Sequence, residues 1–393
     1  MRRRIAIILE RADVALGGAE RSMFEVASAL AELDCQVDLL AAKGQRTAEN
    51  VRILCPDTPG RRMSLPTFAA ALKQHLSQTG YDIVHSVLPF DFADVYQPRG
   101  GTYAETLIRN AASYRHLGCR WYKRATALAN RRRARLLQAE RQLCRGPNGP
   151  VIAALSRYVA EQLKRHYGTD VRRIRLILNG VVTDRSIAPS STARLRSQIL
   201  GLLHQTEADR PLLLLFAAHN FRLKGLEPLI RALSLARQRS PKRPPCLIVL
   251  GGGTIAPYRR LTRRLNVEPH VLFLGPAHDV GEALTVTDVG VLPTFYDPSS
   301  RFILEALAAG KPVITTAYNG ATDHFVHGRH GFAVDSPTNV PRLAETIDHF
   351  ADPAHLARAR ESIAADKLRD TISVRRVARE LSALYESIRT RCW

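Results

Sequence analysis

The sequence lacks any apolar run of the roughly 18–20 residues that a membrane-spanning helix requires. Its six cysteines form no Cys-x-x-Cys pair and no zinc-like spacing, which argues against a structural metal site and favours a reducing compartment. The apolar run Ile5–Leu9 is followed at once by Glu10, so it resembles a buried first strand more than a signal peptide. These absences predict a cytoplasmic protein that is at most peripheral to a membrane.

Acidic residues are scarce relative to basic ones. The 393 residues include 57 Lys and Arg but 36 Asp and Glu, which gives a formal net charge of +21. The positive electrostatic field of such a charge attracts polyanions, which include nucleic acid, anionic lipid and phosphorylated substrates. Charge alone does not choose among these three classes of partner.

Short runs rich in Leu, Ile and Val alternate with helical patterns along the whole chain. Several of these runs are apolar throughout, which is typical of parallel strands covered by helices on both faces. The runs predict strands at 5–9, 36–41, 51–54, 82–86, 151–155, 175–178, 212–217, 246–251, 271–274, 289–293 and 312–315. This alternation predicts an α/β protein with two doubly wound, Rossmann-like domains.

The length of the chain exceeds that of most single domains, so a boundary is expected within it. The boundary is predicted near Val181–Arg185, because the next stretch, Asp184–Asp209, is polar and rich in Ser, Thr, Arg and Gln. Apolar residues at helical spacing within 373–393 predict a C-terminal helix that returns to the first domain. We therefore expect one domain at 1–182 plus 373–393, and another at 183–372.

A glycine pair follows the first strand in the sequence Leu16-Gly-Gly-Ala-Glu-Arg21. Glycines let a backbone approach a ligand closely, and the amides at the start of the next helix favour a phosphate. Gly17 and Gly18 are therefore candidates for phosphate binding, although a plain strand-to-helix turn explains the same residues. The pattern is not Gly-x-Gly-x-x-Gly, so a dinucleotide fingerprint is absent.

Two cations follow the apolar strand at 212–217, in His219-Asn-Phe-Arg-Leu-Lys-Gly225. The carboxyl ends of parallel strands are where α/β sheets bind ligands. Arg222 and Lys224 are therefore candidates for holding a diphosphate. Two cations in one loop also occur by chance, and on this motif alone that alternative stays open.

The most specific motif runs from Phe295 to Thr315 and contains two carboxylates, Asp297 and Glu305. Asp297 precedes a predicted helix and Glu305 lies about two turns inside it. Amides of residues 299–302 could then meet a phosphate while Glu305 accepts hydrogen bonds from ribose hydroxyls. The alternative makes Asp297 a helix cap and Glu305 a surface residue. A carboxylate within Phe-Ile-Leu-Glu-Ala-Leu-Ala-Ala is costly to bury without partners, which favours the functional interpretation.

This motif, with the Gly310-Lys-Pro-Val313 that follows it, resembles the signature of retaining glycosyltransferase family 4, which has the GT-B fold. The resemblance spans nearly the whole chain, through Ser156-Arg-Tyr-Val159, Leu178-Asn-Gly-Val181 and Phe273-Leu-Gly-Pro-Ala-His-Asp279. Three further stretches resemble the acceptor side of the lipopolysaccharide core glucosyltransferase I group: Asp94-Val-Tyr96, Thr102-Tyr-Ala-Glu105 and Ser113-Tyr-Arg-His116.

The resemblance implies that the second domain holds a nucleotide sugar, with UDP as the expected nucleotide. Arg222 and Lys224 would contact its phosphates, Glu305 the ribose and Asp297 the transferred sugar. The implied donor-binding residues are Gly17, Gly18, Arg222, Lys224, Asp297, Ser299, Ser300, Arg301, Phe302 and Glu305. The implied catalytic residues are Asp297, Lys224, Arg222 and Asp94. One departure from the family pattern is that the first acidic residue is Asp297 rather than Glu, which shortens its reach.

The resemblance also implies a retaining, metal-independent reaction without a cofactor, because basic residues and helix amides stabilise the departing diphosphate. The implied acceptor is a lipid-linked saccharide such as the inner core of lipopolysaccharide. The expected acceptor contacts are His85, Asp94, Tyr96, Arg99 and Tyr103. The alternative for His85 is a structural histidine whose ring hydrogen-bonds within the fold.

The segment Arg120–Arg145 is unusually basic and contains a single acidic residue, Glu140. Apolar residues are interleaved with its cations, and a basic helix with an apolar side is typical of binding to a membrane surface. The expected membrane contacts are Arg124, Arg131, Arg132, Arg133 and Arg135. An exposed helix with solvated charges is the alternative, and the segment matches no recognised nucleic-acid module.

Three functions remain to be compared. A glycosyltransferase acting on lipid-linked saccharide explains the Asp297/Glu305 pair, Lys224 and the basic segment together. A GT-B epimerase or hydrolase would instead turn over its donor without an acceptor. A nucleic-acid-binding protein would show salt-sensitive retention on DNA or RNA and would leave the second-domain motifs unexplained.

Overall fold

The computed structural model describes residues 2–13, 18–56, 63–126, 129–184, 189–239, 243–276 and 280–390, except for the side chains of 189–191. The chain divides into two compact units. Unit 1 comprises Met1–Ala111, Arg115–Val182 and Ser373–Trp393, and unit 2 comprises Ala112–Tyr114 and Thr183–Ile372. The divisions after residue 182 and after residue 372 coincide with those expected from the sequence.

Unit 1 contains a seven-stranded sheet in which all the strand pairs are parallel. Its strands are β1 (Arg3–Ala12), β2 (Cys35–Gly44), β3 (Val51–Ile53), β4 (Ile83–Ser86), β5 (Val95–Tyr96), β6 (Val151–Ala154) and β7 (Ile174–Leu176). Their spatial order is β3-β2-β1-β4-β5-β6-β7. The sequence prediction missed β5, because two residues are too few to show a periodic pattern.

Unit 2 contains a six-stranded sheet that is also parallel throughout. Its strands are β8 (Leu212–Ala217), β9 (Pro245–Leu250), β10 (Val271–Gly275), β11 (Val289–Leu292), β12 (Val313–Thr316) and β13 (Gly331–Val334). Their spatial order is β10-β9-β8-β11-β12-β13. The sequence prediction missed β13, a short strand at the edge of the sheet.

The helices alternate with the strands in both units. They are α1 (Gly18–Ala31), α2 (Leu65–Gln78), α3 (Tyr103–Ala112), α4 (Leu117–Ala125), α5 (Arg131–Arg145), α6 (Arg157–Tyr167), α7 (Pro189–Leu202), α8 (Leu226–Arg239), α9 (Ala256–Arg264), α10 (Val280–Val286), α11 (Arg301–Ala308), α12 (Val340–Ala351), α13 (Pro353–Ala365), α14 (Leu368–Thr371) and α15 (Val374–Arg389). Short 3₁₀ helices lie at Val171–Arg173, Glu207–Asp209, Glu268–His270 and Gly320–His324. Among helices in the described part of the chain, none combines the length and apolarity needed to cross a bilayer.

The C-terminal helix α15 belongs to unit 1, as the sequence predicts. Its apolar residues, at helical spacing, are buried in the same cluster as α1, β1 and β2. The hydroxyl of Tyr385, within this helix, lies 2.6 Å from Nδ1 of His85 at the end of β4. The helix is therefore a structural part of the first Rossmann-like unit.

Helix α11 packs unusually closely on the sheet of unit 2 because β11 carries a glycine. A Cβ atom at Gly290 would lie 2.8 Å from the Cβ of Ala306, closer than side chains tolerate. Phe302, Ile303, Leu304, Ala306 and Leu307 are buried on this helix. The helix that carries Glu305 is therefore fixed against the strand that leads to Asp297.

Candidate active site

Two of the predicted motifs meet at one edge of the sheet in unit 2. The chain order reverses between the neighbouring strands β8 and β11, since β9 and β10 lie on one side and β12 and β13 on the other. Open parallel α/β sheets bind ligands at such a point, outside the carboxyl ends of the strands. The segment 218–225 leaves β8 at this point, and the segment 293–300 leaves β11 beside it.

A glycine allows these two segments to pack backbone against backbone. Gly225 has a φ of +81°, and a Cβ atom at this position would collide with the carbonyl oxygen of Pro293. The Phe295 N–H donates to the carbonyl of Leu223 at 2.8 Å. The packing holds Lys224 directly beside residues 295–297.

Lys224 and Asp297 form the central ion pair of the site. The Lys224 Nζ lies 2.6 Å from Oδ2 of Asp297 and donates at 3.0 Å to the carbonyl of Tyr296. The two side chains are 20% and 12% exposed, so the pair is shielded from bulk water yet still reachable. Partial burial strengthens its electrostatic interaction with any nearby anion.

Asp297 is fixed from three directions and does not cap α11. Its Oδ1 accepts from the Ser299 N–H at 3.2 Å, while its backbone donates to Tyr318 and accepts from Gly320, both at 2.9 Å. The N-cap of α11 is Ser300, whose hydroxyl oxygen accepts from the Ile303 N–H at 3.4 Å. The structure therefore contradicts the alternative that makes Asp297 a helix cap.

The expectation that amides of Ser299 and Ser300 meet a phosphate needs correction. The Ser299 N–H donates to Asp297, and the Ser300 N–H donates to the side-chain oxygen of Asn319 at 3.1 Å. Both donors are thus used to shape the loop. The side chain of Phe302 packs in the core, where it contributes to the placement of α11.

Glu305 lies on α11 one turn after Arg301 and forms an ion pair with it at 3.1 Å. The side chains of Arg301 and Glu305 are 11% and 23% exposed. This pairing offsets the cost of placing a carboxylate beside an apolar helix face. Glu305 remains partly accessible, as a ribose ligand must be.

The remaining predicted donor-binding residues are Arg222, Gly17 and Gly18. The Arg222 guanidinium lies 3.7 Å from the ring centroid of Tyr114 and also hydrogen-bonds to Ser113, in the short segment that groups with unit 2. Gly17 lies outside the described residues, and Gly18 is the exposed first residue of α1. Their contacts with a donor stay predictions.

Two predicted acceptor contacts are wrong because the side chains are enclosed within unit 1. His85 and Tyr96 are 0% and 1% exposed. The Tyr96 hydroxyl donates to Glu140 at 2.7 Å, and His85 is bonded to Tyr385. Burial, with the nearby charge of Arg99, lowers the pKa of His85 to about 3, so its ring is neutral at pH 7.

Arg99 is also held inside unit 1 rather than presented to a ligand. It is 7% exposed and donates to Asn179 at 2.9 Å and to Gln97 at 3.3 Å, besides contacting Ser22. An acceptor contact by Arg99 would require these bonds to break, so the prediction for Arg99 is wrong.

Asp94 and Tyr103 remain partly accessible. One carboxylate oxygen of Asp94 accepts from the Val84 N–H at 2.7 Å, and burial raises the pKa of this carboxyl. The backbone N–H of Tyr103 donates to Glu140 at 2.7 Å, and burial raises the pKa of its phenol. A role for either residue at an acceptor stays a prediction.

The basic segment is not one amphipathic helix. Helix α5 buries its apolar side, Leu136 and Leu143, against unit 1, and its Arg132 pairs with Glu10 at 2.5 Å. Helix α4 buries no residue, and its Leu117 and Trp121 are 77% and 74% exposed. The apolar surface therefore lies on α4, which the sequence prediction had not separated from α5.

The side chains of Arg124, on α4, and of Arg131, Arg133 and Arg135, on α5, are exposed, whereas Arg132 is half-buried. Three predicted α5 cations thus remain available to an anionic surface, while the fourth is engaged by Glu10. Tyr122 of α4 is 59% exposed and lies on the helix that also carries Arg120, Lys123 and Arg124.

Two important residues were missed by sequence reasoning. Asn319 is fully buried beside Asp297, and Glu140 is fully buried among the hydroxyls of Tyr96 and Tyr167. Asn319 could have been found as a polar residue just after the apolar strand β12, the pattern that identified Lys224. Nothing in the sequence distinguishes Glu140 from a solvated charge in a basic helix.

The arrangement in unit 2 suits the binding of a diphosphate and a sugar. Two partly buried ion pairs contribute to it: Lys224–Asp297 involves the loop that precedes α11, and Arg301–Glu305 spans the first turn of that helix. Fixed cations stabilise negative charge that develops on a leaving group without needing to reorganise. Carboxylates beside them can accept hydrogen bonds from sugar hydroxyls.

The two parallel-sheet units define the class of the protein. The structure is similar to the crystal structure of WaaG, a glycosyltransferase involved in lipopolysaccharide biosynthesis, with a TM-score of 0.77 at 21% identity over 97% of this chain and 99% of that one. It is also similar to Anabaena HepE in complex with UDP-glucose, with a TM-score of 0.70 at 17% identity over 98% and 99%. The chain therefore has the GT-B fold.

The sequence assigns the chain within that class. Residues 16–185 match the model of Glycosyltransferase Family 4, and residues 210–352 match that of Glycosyl transferases group 1. The lipopolysaccharide glucosyltransferase WaaG of Escherichia coli is 24% identical over 289 residues, 71% of each chain. The first part of the chain thus matches glycosyltransferase family 4 and the second part matches group 1, and the protein is a glycosyltransferase enzyme, as its motifs had indicated.

Proposed function

We propose that this enzyme transfers a hexose from a UDP-sugar to a membrane-associated saccharide, with retention of the anomeric configuration. The observation that carries the proposal is the Lys224–Asp297 pair at the carboxyl ends of β8 and β11. Lys224 and Arg222 stabilise the departing diphosphate, Asp297 orients the hexose and Glu305 binds the ribose. Basic side chains supply the charge that a metal ion supplies elsewhere, so the proposed reaction needs no metal.

The choice of donor is supported by the neighbours. The HepE structure contains UDP-glucose, and the E. coli relative is named as a glucosyltransferase. UDP-glucose is therefore the first donor to test. Asp297 stands where the family pattern has Glu, so the hydroxyl contacts to the hexose are expected to differ from those of a Glu-containing enzyme.

The choice of acceptor is supported by the surface of α4. Exposed Leu117 and Trp121 accompany Arg120, Lys123 and Arg124 on this short helix. Apolar side chains enter the boundary between headgroups and acyl chains while cations meet anionic lipid. We therefore propose that the enzyme works on the inner face of the cytoplasmic membrane, on the inner core of lipopolysaccharide or a similar lipid-linked saccharide.

A ligand screen tests the proposal. Binding to the folded state increases the free energy of unfolding by RT ln(1 + [L]/Kd) and so raises the melting temperature. Thermal shifts with a panel of UDP-, GDP- and ADP-sugars therefore rank candidate donors. The preferred donor is then incubated with and without lipid-linked saccharide. Sugar transfer that requires the saccharide supports the proposal, whereas equally fast donor turnover without it identifies a hydrolase or an epimerase. A panel without any shift contradicts the donor assignment.

A further inference from the structure

Asn319 follows β12 and forms a buried hydrogen-bond network within unit 2. Its side-chain oxygen accepts from the N–H groups of Ser300 at 3.1 Å and Ala321 at 3.0 Å. Its side-chain nitrogen donates to Oγ1 of Thr315 at 2.9 Å. The Thr315 hydroxyl in turn donates at 2.8 Å to the carbonyl of Leu292, the last residue of β11.

These partners determine which way the amide of Asn319 points. Two N–H donors require an oxygen opposite them. The oxygen of Thr315 requires a donor, because the hydroxyl hydrogen is already directed at Leu292. Only a group with an acceptor on one side and a donor on the other satisfies both, and Asn319 is 0% exposed, so water does not substitute for a lost partner.

The network is connected to the Asp297–Lys224 pair through the backbone. Asp297 donates to Tyr318 and accepts from Gly320, the residues on either side of Asn319. Ser300 is the N-cap of α11, and its backbone N–H donates to the side-chain oxygen of Asn319. Asn319 thus ties the ends of β11 and β12 to both ends of the loop 297–300.

We propose that Asn319 is a positioning residue for sugar transfer. Its amide holds the loop 297–300 so that the Asp297 carboxylate and the Lys224 ammonium stay in reacting geometry, and it does not itself touch the donor. The inference rests on the proposed function for its kinetic consequence. Preorganised charges contribute to catalysis only while their geometry is held, and small displacements reduce rates strongly.

The placement of the loop can be tested without any substrate. In Asn319→Ala the Ser300 and Ala321 amides lose their acceptor, so hydrogen exchange across 295–304 should be about tenfold faster than in the wild type. Exchange across 212–217, in β8, should be unchanged. Asn339→Ala is the matched control, because Asn339 caps α12 of the same unit by accepting from the Arg342 N–H at 3.2 Å.

Asn319→Asp provides a pH-dependent form of the same test, and it keeps the test available should the alanine variant not fold. An ionised carboxylate places an acceptor opposite the Thr315 oxygen, whereas a protonated carboxyl restores a donor there. The rate of hydrogen exchange across 295–304 in Asn319→Asp, divided by the wild-type rate at the same pH, should therefore fall as the pH is lowered. Adding Thr315→Val removes the opposing oxygen and should flatten this dependence.

Kinetics complete the test. Asn319→Ala should lower kcat by about tenfold while the KM for the donor changes by less than about threefold, and Asn319→Asp should recover activity at low pH. Unchanged exchange across 295–304 in Asn319→Ala would overturn the positioning role, and so would faster exchange with an unaltered kcat. A wild-type enzyme that turns over no nucleotide sugar would refute the proposed function, while the exchange data would still decide whether Asn319 holds the loop.

Discussion

Glu305 in unit 2 and Glu140 in unit 1 are both carboxylates within helices, yet their surroundings differ in kind. Glu305 is partly exposed and pairs with the cation Arg301. Glu140 is fully buried, and its partners among the described residues are all neutral donors, namely the hydroxyls of Tyr96 and Tyr167 and the backbone N–H of Tyr103. Burial raises the pKa of Glu140 to about 7, despite these bonds.

The same contrast separates the two sheets. At the carboxyl edge of unit 2, Lys224 and Asp297 face each other as partly accessible charges. In unit 1, His85, Tyr96 and Arg99 point into the interior and bond to neighbouring elements. A polar residue after an apolar strand is therefore a candidate for a ligand site when its partner is a partly accessible opposite charge. It is a structural contact when its partners are enclosed within the fold.

The strongest test of this contrast is the removal of the Lys224 charge. Lys224→Met should lower the rate of sugar transfer by about 10²- to 10³-fold, because the departing diphosphate loses a fixed cation. Steady-state kinetics with the preferred donor measures the effect. Lys164→Met is the control, since Lys164 forms a surface pair with Glu161 in unit 1. A rate within threefold of wild type would remove Lys224 from the mechanism.

Loss of the Glu305 carboxylate should weaken binding of the nucleotide more than it disturbs the fold. Glu305→Ala removes the acceptor for two ribose hydroxyls and should raise the Kd for UDP by roughly 30- to 100-fold, measured by calorimetry. Glu268→Ala removes another paired glutamate of unit 2 and should leave the Kd unchanged. Equal UDP affinity in Glu305→Ala and wild type would show that Glu305 only anchors Arg301.

The exposed apolar side chains of α4 are a second feature of unit 1 that can be tested, through binding to anionic vesicles. Replacing Leu117 and Trp121 together by Ser should lower partitioning onto anionic vesicles by about 30-fold, because both side chains lose apolar burial in the membrane. Vesicle co-sedimentation measures this. Val171→Ser, at a residue that is 61% exposed elsewhere in unit 1, is the control.

Charge reversal on α5 sharpens the same test. Arg131 and Arg133 are exposed, but Arg132 is engaged by Glu10, so reversing all three to Glu should act mainly through two cations and also disturb a contact with β1. Each lysine or arginine near an anionic leaflet contributes about 1 kcal/mol. If the α5 charge-reversal variant lost its binding to anionic vesicles while the α4 double variant kept it in full, the result would show that the membrane-binding surface is on α5 and not on α4.

Much of the fold could be predicted from the sequence because its strands are apolar throughout. Runs such as Leu212–Ala217 are buried on both faces, and the sequence shows this directly. The two-residue β5 has no such signal. The polar stretch after Val181 marked the domain boundary, although it belongs to unit 2, where its helix α7 buries Ile199 and Leu200.

The site could be predicted where residue type and strand position coincide, as for Lys224 and Asp297. It could not be predicted where the decisive fact is a long-range partner. Tyr96 is separated from Glu140 by 44 positions, and Asn319 from Ser300 by 19. The sequence prediction placed Tyr96 in a loop after β4 as an acceptor contact, whereas the structure places it in β5, where its hydroxyl is enclosed by Glu140 of α5.

The smallest expected effect concerns the stability of unit 1 and its dependence on pH. The carboxyl of Glu140 has a pKa of about 7 in the folded protein, above its ordinary value of 4.5. Between these values the folded state holds a proton that the unfolded chain has released. Protonation therefore contributes stability that is fully present below about pH 4.5 and is lost as the pH rises through about 7.

Glu140→Gln isolates this contribution, because the amide stays neutral at every pH. Between pH 6 and pH 8 the free energy of unfolding of the wild type should fall by about 1–2 kcal/mol relative to that of the variant. Urea denaturation followed by circular dichroism measures both proteins. Tyr96→Phe should increase the difference, since the carboxylate then loses one of its hydroxyl donors. Parallel pH curves for wild type and Glu140→Gln would mean that the Glu140 carboxyl is ionised throughout, and would make it an anionic site like that of Glu305 instead of a neutral part of the core.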